Sequence, residues 1–212
     1  MILLAALLLN TAQDKNVQKF IDKLEKLKNV TFTYRRVLDY REEKYYNDTT
    51  WTVKADLTPG PSLPFTSYVV ESDKYGFEGF DGSTLWTFSK AKVVKTKKEF
   101  TPVDFDSFSF MRNSIFGLSK ALSASLKNDP NSVKMDGKTI NWNPGNSRPN
   151  ISTPLEKMQV PTKLTIELDP KNGLPKKITQ FLEKEGSVIV TEFSKWDTKP
   201  QFLPGEFGPP GK

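Results

Sequence analysis

Glu78-Gly-Phe-Asp-Gly-Ser-Thr-Leu-Trp-Thr-Phe88, followed by Ala91-Lys-Val-Val-Lys-Thr96, reads as a meander of short antiparallel strands. Asp81-Gly82 predicts a two-residue hairpin turn, because a type I′ turn needs positive φ at both central positions and Asp-Gly supplies them cheaply. Beyond the turn Leu85, Thr87 and Ser89 alternate with Thr84, Trp86 and Phe88, so period two puts the large rings on one face. A second break at Ser89-Lys90 returns the chain through Val93-Val94. Such a segment is a wall of a sandwich or barrel.

More walls flank it. Thr31–Tyr40 alternates strictly, with Phe32, Tyr34, Leu38 and Tyr40 on one face and Arg36 among them. A second strand runs from Tyr45 through Trp51 to Ala55, ended by the Pro59–Pro64 loop, which no central strand tolerates. Phe65–Asp73 predicts a third. Val133–Trp142 predicts a hairpin turning at Asp136-Gly137. Lys163–Leu168, Lys177–Leu182 and Val188–Phe193 predict three closing strands, joined by turns at Asp169–Gly173 and Glu185-Gly186. Two amphipathic helices are expected. One spans Asp14–Lys28, with a stripe of Val17, Phe20, Ile21, Leu24 and Leu27 and with Asp14 or Asn16 as cap. The other spans Asn113–Lys127, with Ile115, Phe116, Leu118, Leu122 and Leu126. Phe100–Met111, between strands and second helix, interleaves Phe108 and Phe110 with Asp104 and Asp106. The expected fold class is therefore α+β, an antiparallel sheet with helices lying on it.

The chain has 212 residues, which suits one sizeable β-rich domain. With neither His nor Cys, it excludes His-dependent triads, thiol nucleophiles, redox pairs and the usual zinc sites. The net charge of +6 is spread along the sequence without an aromatic-basic motif or a recognition-helix pattern, so nucleic acid is not an expected partner. Ile2–Leu9 is an apolar run too short to span a bilayer and reads as the remnant of a secretory signal. The expected division is thus residues 1–12 as signal remnant and 13–212 as one exported domain, a monomer with at most peripheral membrane contact.

Short chemical motifs reduce to structure. Gly137-Lys138-Thr139 lacks the earlier glycine of a phosphate loop and sits in a hairpin. Ser89-Lys-Ala-Lys92 has acyl-transferase spacing, but in a β-turn rather than at a helix start. Asp104 and Asp106 read as solubilising charges in a Phe-rich segment rather than as a calcium or acid-base pair. No cofactor and no catalytic group is expected. What exceeds chance is apolar: Phe32, Tyr34, Tyr40, Trp51, Phe65, Trp86 and Phe88 project from successive strands. They are either plain core or the lining of a cavity for an acyl chain.

The same residues resemble a family. Phe80-Asp-Gly-Ser-Thr-Leu-Trp-Thr-Phe88 with its following Lys/Val strand is similar to the hairpin of LolA-like periplasmic lipoprotein carriers. Ile21–Thr33 resembles that family's opening helix and first strand, and Trp51–Lys54 its second strand. Phe108–Met111 resembles the start of its helical lid, Leu168–Pro175 a late turn, and Phe207-Gly-Pro-Pro-Gly211 its closing signature. The resemblance implies an open β half-barrel with helices packed on its concave face. It also implies export to the bacterial envelope, no enzymatic activity, and binding of a lipid or lipoprotein acyl chain, with an envelope protein as alternative partner. The carriers have Arg-Pro after the V-K strand, where this chain has Ala55-Asp56, which leaves Arg36 as candidate for that arginine's place. The cavity expected on this basis is lined by Phe32, Tyr34, Arg36, Leu38, Tyr40, Trp51, Phe65, Trp86, Phe88, Phe108, Phe110, Ile115 and Phe116.

Overall fold

The computed structural model describes residues 15–41, 44–59, 65–72, 74, 76–89, 92–97, 118–144, 161–182 and 186–209, the side chains of 88–97 and 161 excepted. Alternating sequence becomes strand throughout. The strands are β1 (Asn29–Tyr40), β2 (Tyr45–Asp56), β3 (Ser67–Ser72), β4 (Gly76–Phe80), β5 (Leu85–Ser89) and β6 (Lys92–Lys97). After them come β7 (Val133–Asp136), β8 (Thr139–Trp142), β9 (Pro161–Leu168), β10 (Pro175–Leu182) and β11 (Val188–Asp197). They form one 11-stranded sheet in the order β6-β5-β4-β3-β2-β1-β11-β10-β9-β8-β7. Two meanders are thus zipped together by a single long-range antiparallel pair, β1 against β11. β6 and β7 are left as its edges, so the sheet is not closed.

Helix α1 covers 15–25 and α2 covers Leu118–Asn128. The predicted stripe of α1 is what it buries: Val17, Phe20, Ile21 and Leu24 join the main core with Phe32, Val53, Tyr68 and Ile166. Asn16 lies inside that helix and so is not its cap, while Asp14 lies outside the described residues. Leu118 and Leu122 of α2 enter the same core, and Ser125 Oγ accepts a 3.0 Å hydrogen bond from Trp142 Nε1. Both helices therefore cover one face of the sheet, the concave face of an open half-barrel. No helix among the described residues is long and apolar enough to cross a membrane.

Three local expectations are corrected. The opening hairpin is not a two-residue turn: Phe80 pairs with Leu85, and residues 81–84 form the loop. Gly82 alone takes positive φ there, +96°. The longer loop holds because Asp81 Oδ1 accepts from Thr84 N (2.7 Å), Ser83 N (3.0 Å) and Ser83 Oγ (2.9 Å). Burial would raise the Asp81 pKa, but these hydrogen bonds outweigh it and hold it below the ordinary carboxylate value.

Phe65 precedes β3 rather than belonging to it, and its ring meets Tyr68 and Phe80 edge-on at 5.6 and 6.0 Å. The last strand runs on past Phe193 to Asp197, through a bulge marked by Lys195 at φ +54°. One extra residue reverses the parity of the positions beyond it. Trp196 is thereby aimed inward, where it stacks on Phe32 at 4.5 Å.

Candidate functional site

Strand pairing assigns each side chain to a face, since residues paired across an antiparallel ladder share one. From β1, Val30, Phe32, Tyr34, Arg36, Leu38 and Tyr40 point inward and are buried. Across β2 they meet Ala55, Val53, Trp51, Thr49, Asn47 and Tyr45 in that order. Ala55, Val53 and Trp51 face Tyr68, Val70 and Ser72 on β3, which in turn face Phe80, Glu78 and Gly76 on β4.

The inward aromatics touch one another. Tyr34 lies 6.2 Å from Trp51 in a near-parallel stack and 6.1 Å from Phe193. Phe193 in turn lies 5.8 Å from Trp196. Phe32, Tyr34 and Phe65 are closed off from solvent, whereas Trp51 and Trp196 are half-buried at the margin of the cluster. Burial pushes the Tyr34 phenol far up, with the Arg36 charge pulling it down and Glu78 adding to the rise.

Leu38 and Tyr40 lie on this face but in a second cluster with Leu182 and Ile189. Between the clusters runs a polar band. Arg36 pairs in register with Thr49 on one side and Thr191 on the other, and Gln180 lies beside Ile189. All four side chains are buried, Arg36 at 6% exposure. The neighbouring Arg35 points the opposite way, where it makes a two-pronged pair with Asp48 at 2.9 and 2.6 Å.

Trp86 is a correction. It pairs with Gly79, whose parity is opposite to Glu78 and Phe80, so its ring lies on the outer face, away from Phe32 and Tyr34. It is nonetheless sealed, at 1% exposure. Gly79 explains half of this: a Cβ there would come within 2.3 Å of the indole, so only glycine lets the ring lie flat on β4. The C-terminal segment explains the rest. Phe207 O accepts from Trp86 Nε1 at 3.0 Å, Glu206 pairs with Lys54 at 2.6 Å, and Pro200 O accepts from Asn29 Nδ2 at 3.4 Å. Lys54, Val69, Gly79 and Trp86 form one outer row across β2–β5, and this segment straps it.

Phe88 continues β5 opposite Phe77, but its side chain is outside the described set, and Phe108, Phe110, Ile115 and Phe116 lie wholly outside it. The inner face therefore gathers Phe32, Tyr34, Arg36, Leu38, Tyr40, Trp51 and Phe65, and not Trp86. Sequence reading misses Tyr68, Phe80, Phe193 and Trp196 as inner rings. Alternation within β11 could have found Phe193, but nothing local announces the bulge that turns Trp196 inward. Glu78 is missed as well, although it opens the stretch that decides the fold.

No family model and no curated protein matches the sequence. Solved structures do. An uncharacterized conserved protein from Thermus thermophilus is similar at TM-score 0.50 and 10% identity, over 93% of this chain and 95% of that one. LprF from Mycobacterium bovis is similar at TM-score 0.50 and 10% identity, over 93% and 98%. A LolA superfamily protein from Nitrosomonas europaea aligns over 91% and 97% at 11% identity and TM-score 0.40. The fold is LolA-like. At such identities the likeness extends to the open half-barrel and its helices, and no further.

Proposed function

We propose that this protein is an exported, non-enzymatic carrier that holds the acyl chain of a lipid or lipoprotein against the concave face of its half-barrel. The observation that carries this reading is the gradation within the ring cluster. Phe32, Tyr34 and Phe65 are buried structural rings, but Trp51 and Trp196 present half-buried indole surface on an unclosed sheet, with Leu27, Leu57, Leu126 and Met135 also half-buried against the core. Apolar surface left half-wet on a concave wall gains by taking up hydrocarbon. One buried CH₂ contributes about 0.8 kcal/mol, so ten give on the order of 8 kcal/mol before association costs. Those costs leave micromolar affinity or weaker, which suits cargo that must be released. The proposed unit is residues 13–212 acting as a monomer behind a signal remnant at 1–12.

A second reading, an interaction module with a filled interior and an envelope protein as partner, is favoured by how completely Phe32, Phe65, Tyr68 and Val70 are enclosed. Native mass spectrometry of protein gently extracted from its own host separates the two. Co-purifying lipid is the expected result. A lipid-free protein that also fails to take up a fluorescent fatty acid removes the carrier reading and leaves the module.

A further inference from the structure

Among the inward strand positions whose side chains are described, two are charged, Arg36 on β1 and Glu78 on β4. Glu78 sits between Val70 and Thr87 on the inner wall. The hydroxyl of the fully buried Tyr68 donates to its Oε1 at 3.0 Å, and Tyr68 is its hydrogen-bonding partner among the described residues. A partly buried carboxyl gains from more than one neutral donor, and from an opposite charge above all. As a residue Glu78 is half-buried, like Gly76, Thr87 and Trp51 on the same face, so the wall is reachable there. The Tyr34–Trp51 ring pair lies one row further along.

We propose that Glu78, with the half-buried Trp51 two strands away and one row along the same face, selects amphiphiles whose polar end is an ammonium group. This rests on the carrier reading and names the head that accompanies its apolar chain. The carboxylate supplies a charge-assisted hydrogen bond, and the indole supplies cation–π attraction. Arg36 is three strands and two inward rows away from Glu78, whereas on β6 the backbone of Lys95 stands in register with Thr87 and that of Lys97 with Leu85. The charged groups on the helices packed over this face, Lys15, Lys19, Lys23, Glu25, Lys120 and Lys127, are exposed. Asp22 is half-buried on α1 and engaged by Gln18 Nε2 at 2.7 Å. Tyr34 and Tyr68 stay neutral phenols, since burial raises both. Burial of the Glu78 carboxyl pushes its pKa up to about 7, despite the hydrogen bond from Tyr68. The preference should therefore weaken in mild acid.

The test uses the full chain and three probes of equal tail, decylammonium, decanol and decyl sulfate, titrated below micelle formation and followed by tryptophan fluorescence and calorimetry. At about pH 8 decylammonium should bind about tenfold more tightly than decanol, and decyl sulfate more weakly than both. In Glu78→Gln, which keeps an acceptor for Tyr68, the ammonium preference should vanish while decanol binding stays. For the wild type it should also shrink between about pH 8 and about pH 5.5, an arm that needs no variant. Equal binding of all three probes, or a preference that survives in Glu78→Gln, overturns the assignment but leaves the carrier reading standing. Failure of every probe to bind overturns both.

Discussion

Trp51 and Trp196 on the inner face and Trp86 on the outer do opposite things with the same residue type, while Trp142, also on the inner face, is sealed beneath α2. On the inner face, Trp51 and Trp196 stand at the margin of a ring cluster, half-buried, in a sheet whose edges never meet. On the outer face, Trp86 is pressed flat on Gly79 and strapped by Glu206 and Phe207 until almost nothing of it is exposed. Burial alone does not distinguish lining from scaffold. What does is whether a ring is covered by its own chain on a convex side, or left for something else to cover on a concave one. The outer ring is a clamp that ties the C-terminal segment across β2–β5. Trp51 and Trp196 are inner rings that the fold leaves partly uncovered.

Breaking the clamp should have the largest effect. Trp86→Ala removes a fully enclosed ring and should lower unfolding free energy by about 3–5 kcal/mol in urea titration, with the uptake of amphiphile by the folded fraction unchanged. An equal loss of uptake would put Trp86 back among lining residues. The next effect is the pH dependence of stability through Glu78. Its carboxyl titrates at the ordinary 4.5 when unfolded and at about 7 when folded, so the folded state binds the extra proton between them. Stability should be full below the lower value, decline as pH rises, and level off above about 7. Glu78→Gln should flatten that decline and be the more stable protein in mild base, read by melting temperature across the range.

Gly79→Ala should cost about 1–3 kcal/mol by driving a methyl into the Trp86 indole, and should shift the indole emission as the ring tilts into water. Trp51→Ala sharpens the inner side. Removing a half-buried ring should cost only about 1 kcal/mol of stability yet weaken amphiphile binding roughly tenfold. The smallest effect belongs to Lys54→Ala, which deletes the partly exposed pair with Glu206 and should cost at most about 1 kcal/mol. A larger loss would mean that the strap hangs on this ion pair rather than on Trp86.

Much of this architecture was legible because it is written in local periods. The strict alternation of Thr31–Tyr40 gave the inward set of β1 residue by residue, and the stripe Val17, Phe20, Ile21, Leu24 gave the buried side of α1. Turn chemistry at Asp136-Gly137 and Asp169–Gly173 placed strand boundaries within a residue or two. Parity across a turn was not legible. Asp-Gly favours a two-residue turn, but the Asp81 carboxylate can also gather the amides of Ser83 and Thr84, and that choice sets the length of the loop.

By itself, then, the sequence determined an antiparallel α+β domain, its helices, and which residues of each strand travel together, because neighbouring side chains obey fixed periods of the backbone. Only the tertiary structure decided which of those sets faces the helices. It set Trp86 outside, brought Trp196 in through a bulge at Lys195, and put Glu78 on the inner wall. The reason is physical: a face is defined by pairing between distant strands, and one residue gained or lost at a loop or bulge reverses it without changing any local preference.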